Sequence, residues 1–211
     1  MAIPGRAEGI PHLAHPWHGV SPGEQAPHVL TVYVEMVPTD TVKYEVDKAT
    51  GLLRADRPQK YSALCPTLYG FVPRTLCGDG IGALAAARAG RRDVSGDGDP
   101  MDVCVLTERS FNRGGVLVTA RPIGGFRMFD GKEADDKILA VLMNDAAYGS
   151  FEDVSDCPVP LVERLRHYFL TYKDMPGVEQ RRTEITHVYG AAEAREIVEC
   201  SMDDYRRRFA S

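Results

Sequence analysis

Three carboxylates crowd the segment GDGDPMDVCVL (residues 96–106), which becomes apolar immediately after the third of them. They are Asp97, Asp99 and Asp102. Ionised carboxylates this close repel one another, and it is costly to keep them charged in a partly dry site. The crowding is physically reasonable if cations sit between the carboxylates, or if the segment is a solvated turn. This segment alone leaves both interpretations open.

A second acidic turn, in MFDGKEADDKILAV (residues 128–141), also leads into an apolar strand, and it carries Asp130, Asp135 and Lys137. Two acidic turns that each feed a core strand can place their carboxylates around one mouth of a barrel. An EF-hand calcium loop is excluded for the first turn, because Asp102 stands where that loop requires glycine. The two turns together favour a metal site.

Short strands with turns at close spacing must position these side chains. HVLTVYVEMV is β-branched and aromatic, TVKYEVD alternates strictly between apolar and polar residues, and LLRADR follows the turn DKATG. Further strands are predicted in DVCVLT, GGVLVTARPI and KILAVLM. The pattern predicts a small closed barrel or a sandwich.

The C-terminal third changes to helical spacing. PVPLVERLRHYFLTYKDMPG predicts a helix that ends at Pro176-Gly177, with its apolar residues at Leu161, Leu165, Phe169 and Tyr172. GAAEAREIVECSMDDYRRRFA predicts a second helix, with a buried stripe of Ala194, Ile197, Val198, Tyr205 and Phe209. These helices are expected to pack on the strands.

The first 27 residues are expected to form an irregular arm rich in Pro, Gly and His. His12, His15 and His18 recur every third residue, but Pro16 interrupts any regular helix, so the three rings need not converge. They are expected to pack around Trp17 rather than to bind a metal.

Residues 78–96 are predicted to be an insertion that contains a short helix with a basic end. Its arginines could form a lid over an anionic ligand; they are Arg88, Arg91 and Arg92. A surface insertion or a subunit contact is an equally good interpretation, because long loops are tolerated at low thermodynamic cost.

Length and composition predict one globular domain over residues 1–211. The net charge of −5 gives no basic field for nucleic acid. Five scattered cysteines without a CxxC pair favour a reducing cytoplasm over a disulfide framework or zinc cage. No apolar run approaches the roughly 20 residues that cross a bilayer. We expect neither membrane nor nucleic-acid partners.

Several segments, in collinear order from Val29 to Lys173, resemble the soluble family I inorganic pyrophosphatases. DGDPMDV resembles the family's Asp-x-Asp-Pro-x-Asp signature, and VEMVPTDTVKYEVDKATGLLRADR resembles its N-terminal strands. PTLYGFVP, DGKEADDK and HYFLTYKD resemble its Tyr-Gly segment, second acidic loop and Tyr-Lys helix. The resemblance implies an α+β, mainly β fold: an OB-like closed barrel of about five strands with C-terminal helices packed on it.

The resemblance also implies hydrolysis of pyrophosphate to two phosphates with several Mg²⁺ ions, for which Mn²⁺ is a candidate substitute. Bacterial relatives are typically hexamers and eukaryotic ones dimers, so a homo-oligomer is expected. Hard cations with oxygen ligands suit this chemistry, since they neutralise the substrate's charge and lower the pKa of an attacking water.

Residue by residue, the resemblance implies the following roles. Asp99 would hold and deprotonate the attacking water. The metal ligands would be Asp97, Asp102, Asp135, Asp130 and Glu35, the last acting through water. The side chains that bind substrate would be Lys43, Arg57, Lys137, Tyr172 and Lys173. Glu45 and Tyr69 would support this shell, with Tyr69 orienting the carboxylates.

Each position also has a plain structural interpretation. Lys43 and Glu45 can be a solvent-facing pair, and Arg57 can pair with Asp56. Lys173 can cap a helix C-terminus. Glu133 and Asp136 are expected to face solvent.

Two departures from the family pattern stand out. Cys65 takes the place of a phosphate-contacting tyrosine, a contact that Tyr61 could supply, and Gly131 takes the place of a second acidic residue. The alternatives are therefore a catalytically weakened relative that binds metal or phosphate, or a non-enzymatic OB-type nucleic-acid binder. The second alternative lacks the basic, aromatic groove that it would need.

Overall fold

The computed structural model describes residues 14–174 and 182–209. The strands are β1 (Leu30–Met36), β2 (Val42–Val46), β3 (Leu53–Pro58), β4 (Leu68–Phe71), β5 (Ser95–Gly96), β6 (Asp102–Leu106), β7 (Val116–Asp130), β8 (Glu133–Ala134), β9 (Lys137–Leu142) and β10 (Thr183–Gly190). The helices are α1 (Asp79–Ala89), α2 (Val159–Thr171) and α3 (Ala191–Phe209), with a 3₁₀ turn at Val154–Asp156. His12, Pro176 and Gly177 lie outside the described residues, and the helix predicted to end at Pro176-Gly177 already ends at Thr171.

Five strands close into a ring in the order β1, β4, β6, β9, β7 and back to β1. All neighbours in the ring are antiparallel except β6 and β9, which run parallel. The predicted mainly β fold with helices packed on it is confirmed. Strand β10 adds to β7, and β2 with β3 forms a separate hairpin.

The ring encloses an apolar core because its strands point β-branched and aromatic residues to one side. Val32, Val103 and Ile138 are fully buried there. Helix α2 buries Leu165 and Phe169 against the same sheet. The predicted short helix in residues 78–96 is α1, and it packs against α3.

The predicted stripe of α3 is correct for Ala194, Ile197 and Val198, which are buried. It is wrong at Phe209, whose side chain is 41% exposed. Asp204 is buried instead, because it accepts hydrogen bonds from the first backbone N–H groups of α1. A polar residue therefore lies on the buried face of the helix.

The expectation that Asp136 faces solvent is wrong, since its side chain is only 3% exposed. Arg127 donates from Nε to both Asp136 oxygens, at 2.8 and 3.1 Å. Arg127 also donates to Glu193 of α3 at 3.0 Å. This buried ion pair joins β7, the start of β9 and α3. Within the described ranges, no helix has the length and apolar character needed to cross a membrane.

Candidate active site

A cavity of about 290 Å³ gathers every side chain to which the family resemblance gives a catalytic, metal-binding, substrate-binding or supporting role. Those thirteen residues are Glu35, Lys43, Glu45, Arg57, Tyr69, Asp97, Asp99, Asp102, Asp130, Asp135, Lys137, Tyr172 and Lys173. Their position around one cavity is a structural fact, whereas their individual roles stay predictions.

The pairing of short strands brings the two acidic turns together. Parallel pairing of β5 with β8 sets Gly96 beside Ala134, so the residues that follow, Asp97 and Asp135, are neighbours. Parallel pairing of β6 with β9 sets Asp102 beside Lys137. A Cβ at Gly96 would lie 2.0 Å from the Cys77 carbonyl oxygen, so this approach requires glycine.

Lys137 lies between two carboxylates at the centre of the cavity. Its buried ammonium hydrogen-bonds both Asp102 and Asp135. Burial alone would lower the pKa of Lys137, but the two carboxylates outweigh burial and hold that pKa well above its usual value. Tyr69 donates its hydroxyl proton to Asp102 at 2.6 Å, as expected of a residue that orients a carboxylate.

Two other carboxyl groups are buried where the protein supplies too little positive charge to keep them ionised. Burial raises the pKa of Asp97 to about 8, and nearby Asp135 contributes to that rise. Burial likewise raises the pKa of Glu35 to about 8, although the Val46 N–H donates to its carboxylate at 2.7 Å. Burial raises the pKa of Asp135 too. A group of buried carboxyl groups whose charged forms burial disfavours is a chemical fit for divalent cations, which would stabilise those charged forms.

The balance of charges around the cavity also favours a cation-binding site. The carboxylates among its described lining residues are Glu35, Glu45, Asp97, Asp99, Asp102, Asp130, Glu133 and Asp135. The cations are fewer: Lys43, Lys48, Arg57, Lys137 and Lys173. As the side chains stand, no three acidic, imidazole or thiol groups in residues 14–174 and 182–209 are arranged to hold one ion. Lys137 accounts for part of this, because its ammonium takes the space between Asp102 and Asp135.

Asp130 is the last residue of β7 and lines the cavity there. Lys173 donates to its Oδ2 at 2.6 Å, and Arg182 Nε lies 2.5 Å from its Oδ1. Gly131 follows with φ of +66°, a left-handed conformation that favours glycine over an acidic side chain. The turn geometry thus explains the glycine at this departure from the family pattern.

The β2–β3 hairpin carries the remaining cations over the cavity. Lys43 pairs with Glu45, and Arg57 pairs with Asp56. Both expected ion pairs are present, but the Lys43 side chain is only 17% exposed, so its pair with Glu45 is not solvent-facing. Lys43, Glu45 and Arg57 line the cavity as well. A period of two on β2 keeps Lys43 and Glu45 on one face.

Two lining residues of the site, Trp17 and Lys48, were not predicted from the sequence. Lys48 pairs with Asp99, and Trp17 packs beside Lys48. Neither could be found from periodicity, because Lys48 lies in a turn and Trp17 in the irregular arm. The arm does pack as expected, with Trp17 stacked on His18 at a centroid distance of 4.5 Å.

The expected replacement of the missing tyrosine is not seen. Tyr61 is 73% exposed and does not line the cavity. Cys65 is buried beside Thr67, and burial raises the pKa of its thiol to about 11. The tyrosine's phosphate contact therefore has no substitute from either residue in this structure.

The arginines of residues 78–96 turn away from the cavity. Arg88 pairs with Glu196 of α3, and Arg91 pairs with Glu184 of β10. None of the three arginines lines the cavity, so the structure gives the lid interpretation no support.

Comparison with known proteins gives a consistent result. The sequence model of the family described as inorganic pyrophosphatase matches residues 32–206. An inorganic pyrophosphatase of Chlamydia trachomatis is 46% identical over 201 residues, which is 93% of this chain and 96% of that protein. A soluble inorganic pyrophosphatase of Zea mays is 38% identical over 192 residues, covering 91% and 79% of the two chains.

A solved structure agrees with the sequence comparisons. The crystal structure of inorganic pyrophosphatase from Thermus thermophilus superposes with a TM-score of 0.76 at 27% identity, covering 92% of this chain and 99% of that chain. The match of the family model to most of the chain, together with close relatives over nearly all of it, shows that the chain belongs to the inorganic pyrophosphatase family.

Proposed function

We propose that this chain performs the family's reaction, hydrolysis of inorganic pyrophosphate to two phosphates, with Mg²⁺ held by the cavity carboxylates and Asp99 as general base. One observation carries the proposal. All thirteen side chains assigned by resemblance, drawn from seven strands, two loops and the end of α2, line one cavity. Such convergence is not expected of a solvated surface turn.

Metal dependence is general in this family, and the proposal here is the identity of the ion. Asp97, Asp102, Asp130, Asp135 and Glu35 would hold Mg²⁺ and would also accept Mn²⁺, because both ions suit carboxylate ligands. Bound Mg²⁺ supplies charge neutralisation and a water of lowered pKa. The raised pKa values of Asp97 and Glu35, two buried carboxyl groups that lack a cation to hold them ionised, support this assignment.

Asp99 is the member of the acidic turn best placed to receive a proton. Its side chain is half exposed, so water reaches it, and its N–H donates to Asp97 Oδ1 at 2.9 Å. That bond fixes Asp99 beside a metal ligand. The water oxygen attacks one phosphorus atom, the bridging P–O bond breaks with its electron pair on the departing phosphate, and Asp99 takes the water's proton.

The cations bind the phosphoryl oxygens on both sides of the bond that breaks. Lys43 and Arg57 reach the cavity from the hairpin, and Lys137 and Lys173 reach it from β9 and the end of α2. Tyr172 adds a hydroxyl. Positioned cations stabilise the charge that develops on the transferred group and on the departing phosphate.

Four wider features are proposed with the function. The chain is one domain over residues 1–211, acts in the cytoplasm and forms a homo-oligomer, either a hexamer or a dimer. It has no nucleic-acid or membrane partner. The net charge of −5 and the acidic cavity support the exclusion of nucleic acid. Light scattering coupled to size exclusion distinguishes a monomer from a dimer or hexamer.

The test is phosphate release from pyrophosphate by purified protein, with millimolar Mg²⁺ and with EDTA. Release from p-nitrophenyl phosphate is measured in a separate assay as a different class of substrate. We expect rapid release from pyrophosphate with Mg²⁺ and none with EDTA. Mg²⁺ should also raise the melting temperature, since it binds the folded state. A folded protein that releases no phosphate at any Mg²⁺ concentration would instead be the catalytically weakened relative.

A further inference from the structure

Lys48 is a cation of the cavity to which the family resemblance gives no role. It lies in the turn between β2 and β3, its ammonium lines the cavity, and it hydrogen-bonds Asp99 Oδ1. Every other cation of the described lining is paired with different carboxylates. Lys48 is thus the cation that neutralises the proposed general base.

The irregular arm holds Lys48 at two points. The Lys48 ammonium lies 5.9 Å from the centre of the Trp17 ring, over its face. A ring nitrogen of His15, Nε2, is 3.2 Å from the Lys48 carbonyl oxygen. These contacts orient the side chain toward the cavity, although the side chain is 56% exposed.

Trp17 is itself fixed firmly. It is buried, its Nε1–H donates to the Thr75 carbonyl at 2.7 Å, and its ring stacks on His18. His18 is joined to α3 through a 2.7 Å hydrogen bond between Nδ1 and the Tyr205 hydroxyl. Trp17 therefore offers Lys48 a rigid aromatic surface at the edge of the cavity.

The Lys48–Asp99 pair competes with the proposed reaction. The ammonium occupies Oδ1, one of the two carboxylate oxygens that can receive the proton of the attacking water. A half-exposed ion pair contributes little to stability, so exchanging partners costs little. Lys48 has a flexible four-carbon stem, and its next available partner in the cavity is the polyanionic substrate.

We propose that Lys48, oriented by Trp17, is a further substrate-binding residue that neutralises Asp99 in the free protein and transfers its ammonium to a phosphoryl oxygen when pyrophosphate binds. This inference rests on the proposed function. It gives Trp17 a positioning role and gives the arm a function in substrate affinity. It also predicts that Lys48 competes with cations for the acidic turn before substrate arrives.

The test compares Lys48→Met with Lys132→Met, an exposed lysine outside the cavity lining. Lys48→Met should raise KM for pyrophosphate about fivefold, the scale of a partly exposed charge contact, and change kcat by less than about threefold. Calorimetric titration of Mg²⁺ into the substrate-free protein should show about threefold tighter binding to Lys48→Met, because a competing cation is gone. Lys132→Met should match the wild type in both measurements.

An unchanged KM in Lys48→Met overturns the substrate contact, whatever happens to kcat. An unchanged Mg²⁺ affinity overturns the neutralisation of Asp99 by Lys48 in the free protein. Absence of phosphate release from the wild type would instead be a failure of the proposed function, and the calorimetric comparison tests the neutralisation of Asp99 independently of activity.

Trp17 provides a second test. Trp17→Leu should raise KM about twofold to threefold, and Trp17→Phe should stay near the wild type because it keeps an aromatic face. In the Lys48→Met background, Trp17→Leu should raise KM no further. Additive effects of the two substitutions overturn the positioning role, and so does a raised KM in folded Trp17→Phe equal to that of Trp17→Leu.

Discussion

Asp102 and Lys137 face each other as register partners on two parallel strands, and the Lys137 ammonium hydrogen-bonds the Asp102 carboxylate. The same ammonium bonds Asp135, which precedes it by two residues. A buried cation thus stands between two carboxylates proposed as metal ligands. The pairing of β6 with β9 therefore positions these two site residues directly on strands of the central sheet.

Removing this cation should destabilise the metal-free protein. Lys137→Met leaves Asp102 and Asp135 buried without their partner, and we expect the free energy of unfolding to fall by about 3 kcal/mol. Mg²⁺ should recover part of the loss, because it supplies the missing positive charge. Urea denaturation with EDTA and with Mg²⁺ measures both values. Equal stability of the variant and the wild type in EDTA would contradict this account.

The stability of the metal-free protein should fall as pH rises toward 8. Asp97 and Glu35 have folded-state pKa values of about 8, well above their usual values, because burial disfavours their charged forms. Between the usual carboxyl pKa values of about 4 and the folded-state values of about 8, the folded state therefore binds more protons than the unfolded state. Raising the pH through this range favours unfolding. Thermal melts in EDTA should show this slope, and Glu35→Gln should flatten it.

Mg²⁺ should counteract that pH dependence. Below pH 8 the ion has to displace protons from Asp97 and Glu35, whereas above pH 8 it does not. The increase in melting temperature at a fixed Mg²⁺ concentration should therefore be larger at pH 8.5 than at pH 6. An equal increase at both pH values would mean that neither carboxyl group is part of the metal site.

Asp204 should be important for folding and unimportant for catalysis. Its carboxylate accepts from the backbone N–H groups of Gly78, Gly80 and Ile81, at distances of 2.9 to 3.1 Å, and so caps the N-terminus of α1 from α3. Asp204→Ala should lower the free energy of unfolding by about 2 kcal/mol, since it leaves buried donors unpaired. Chemical denaturation measures the loss. The exposed neighbour variant Asp203→Ala should lose far less, and kcat should stay unchanged in both.

The Arg127–Asp136 pair lends itself to a double-mutant cycle. Arg127→Met alone leaves Asp136 buried and unpaired, and should cost about 3 kcal/mol of stability. Burial already raises the pKa of Asp136 to about 6, even with Arg127 beside it. The double variant Arg127→Met/Asp136→Leu should recover most of the loss. Urea denaturation of the four proteins decides the question, and purely additive losses would contradict a direct coupling.

The sequence predicted the site better than it predicted the sheet. Five aspartates in two turns, followed by apolar strands, were enough to identify one acidic mouth, and the structure places them around one cavity. The sequence pattern did not reveal β4 or β10. Strand β4 is four residues long and buried throughout, so it shows no alternation, and β10 pairs with β7 alone and carries several exposed polar residues.

The sequence also did not predict how polar residues pair with partners that lie far away along the chain. Asp136 is adjacent to the predicted ligand Asp135, and its buried partner Arg127 lies nine positions earlier, on β7. Lys48 and Trp17 are 31 positions apart and meet only because the arm folds beside the hairpin. Periodicity describes one element at a time, whereas these contacts depend on how two elements pack.

The measurement that bears most directly on the central claim is the turnover of Asp99→Asn at saturating Mg²⁺, with Mg²⁺ binding measured on the same protein. Loss of the proposed general base should lower kcat about a thousandfold, within the range of such substitutions, while Mg²⁺ still binds and the protein stays folded. The surface variant Asp203→Asn should keep wild-type turnover. Near wild-type turnover by folded Asp99→Asn would show that another group takes the proton and that the acidic turn has a different role.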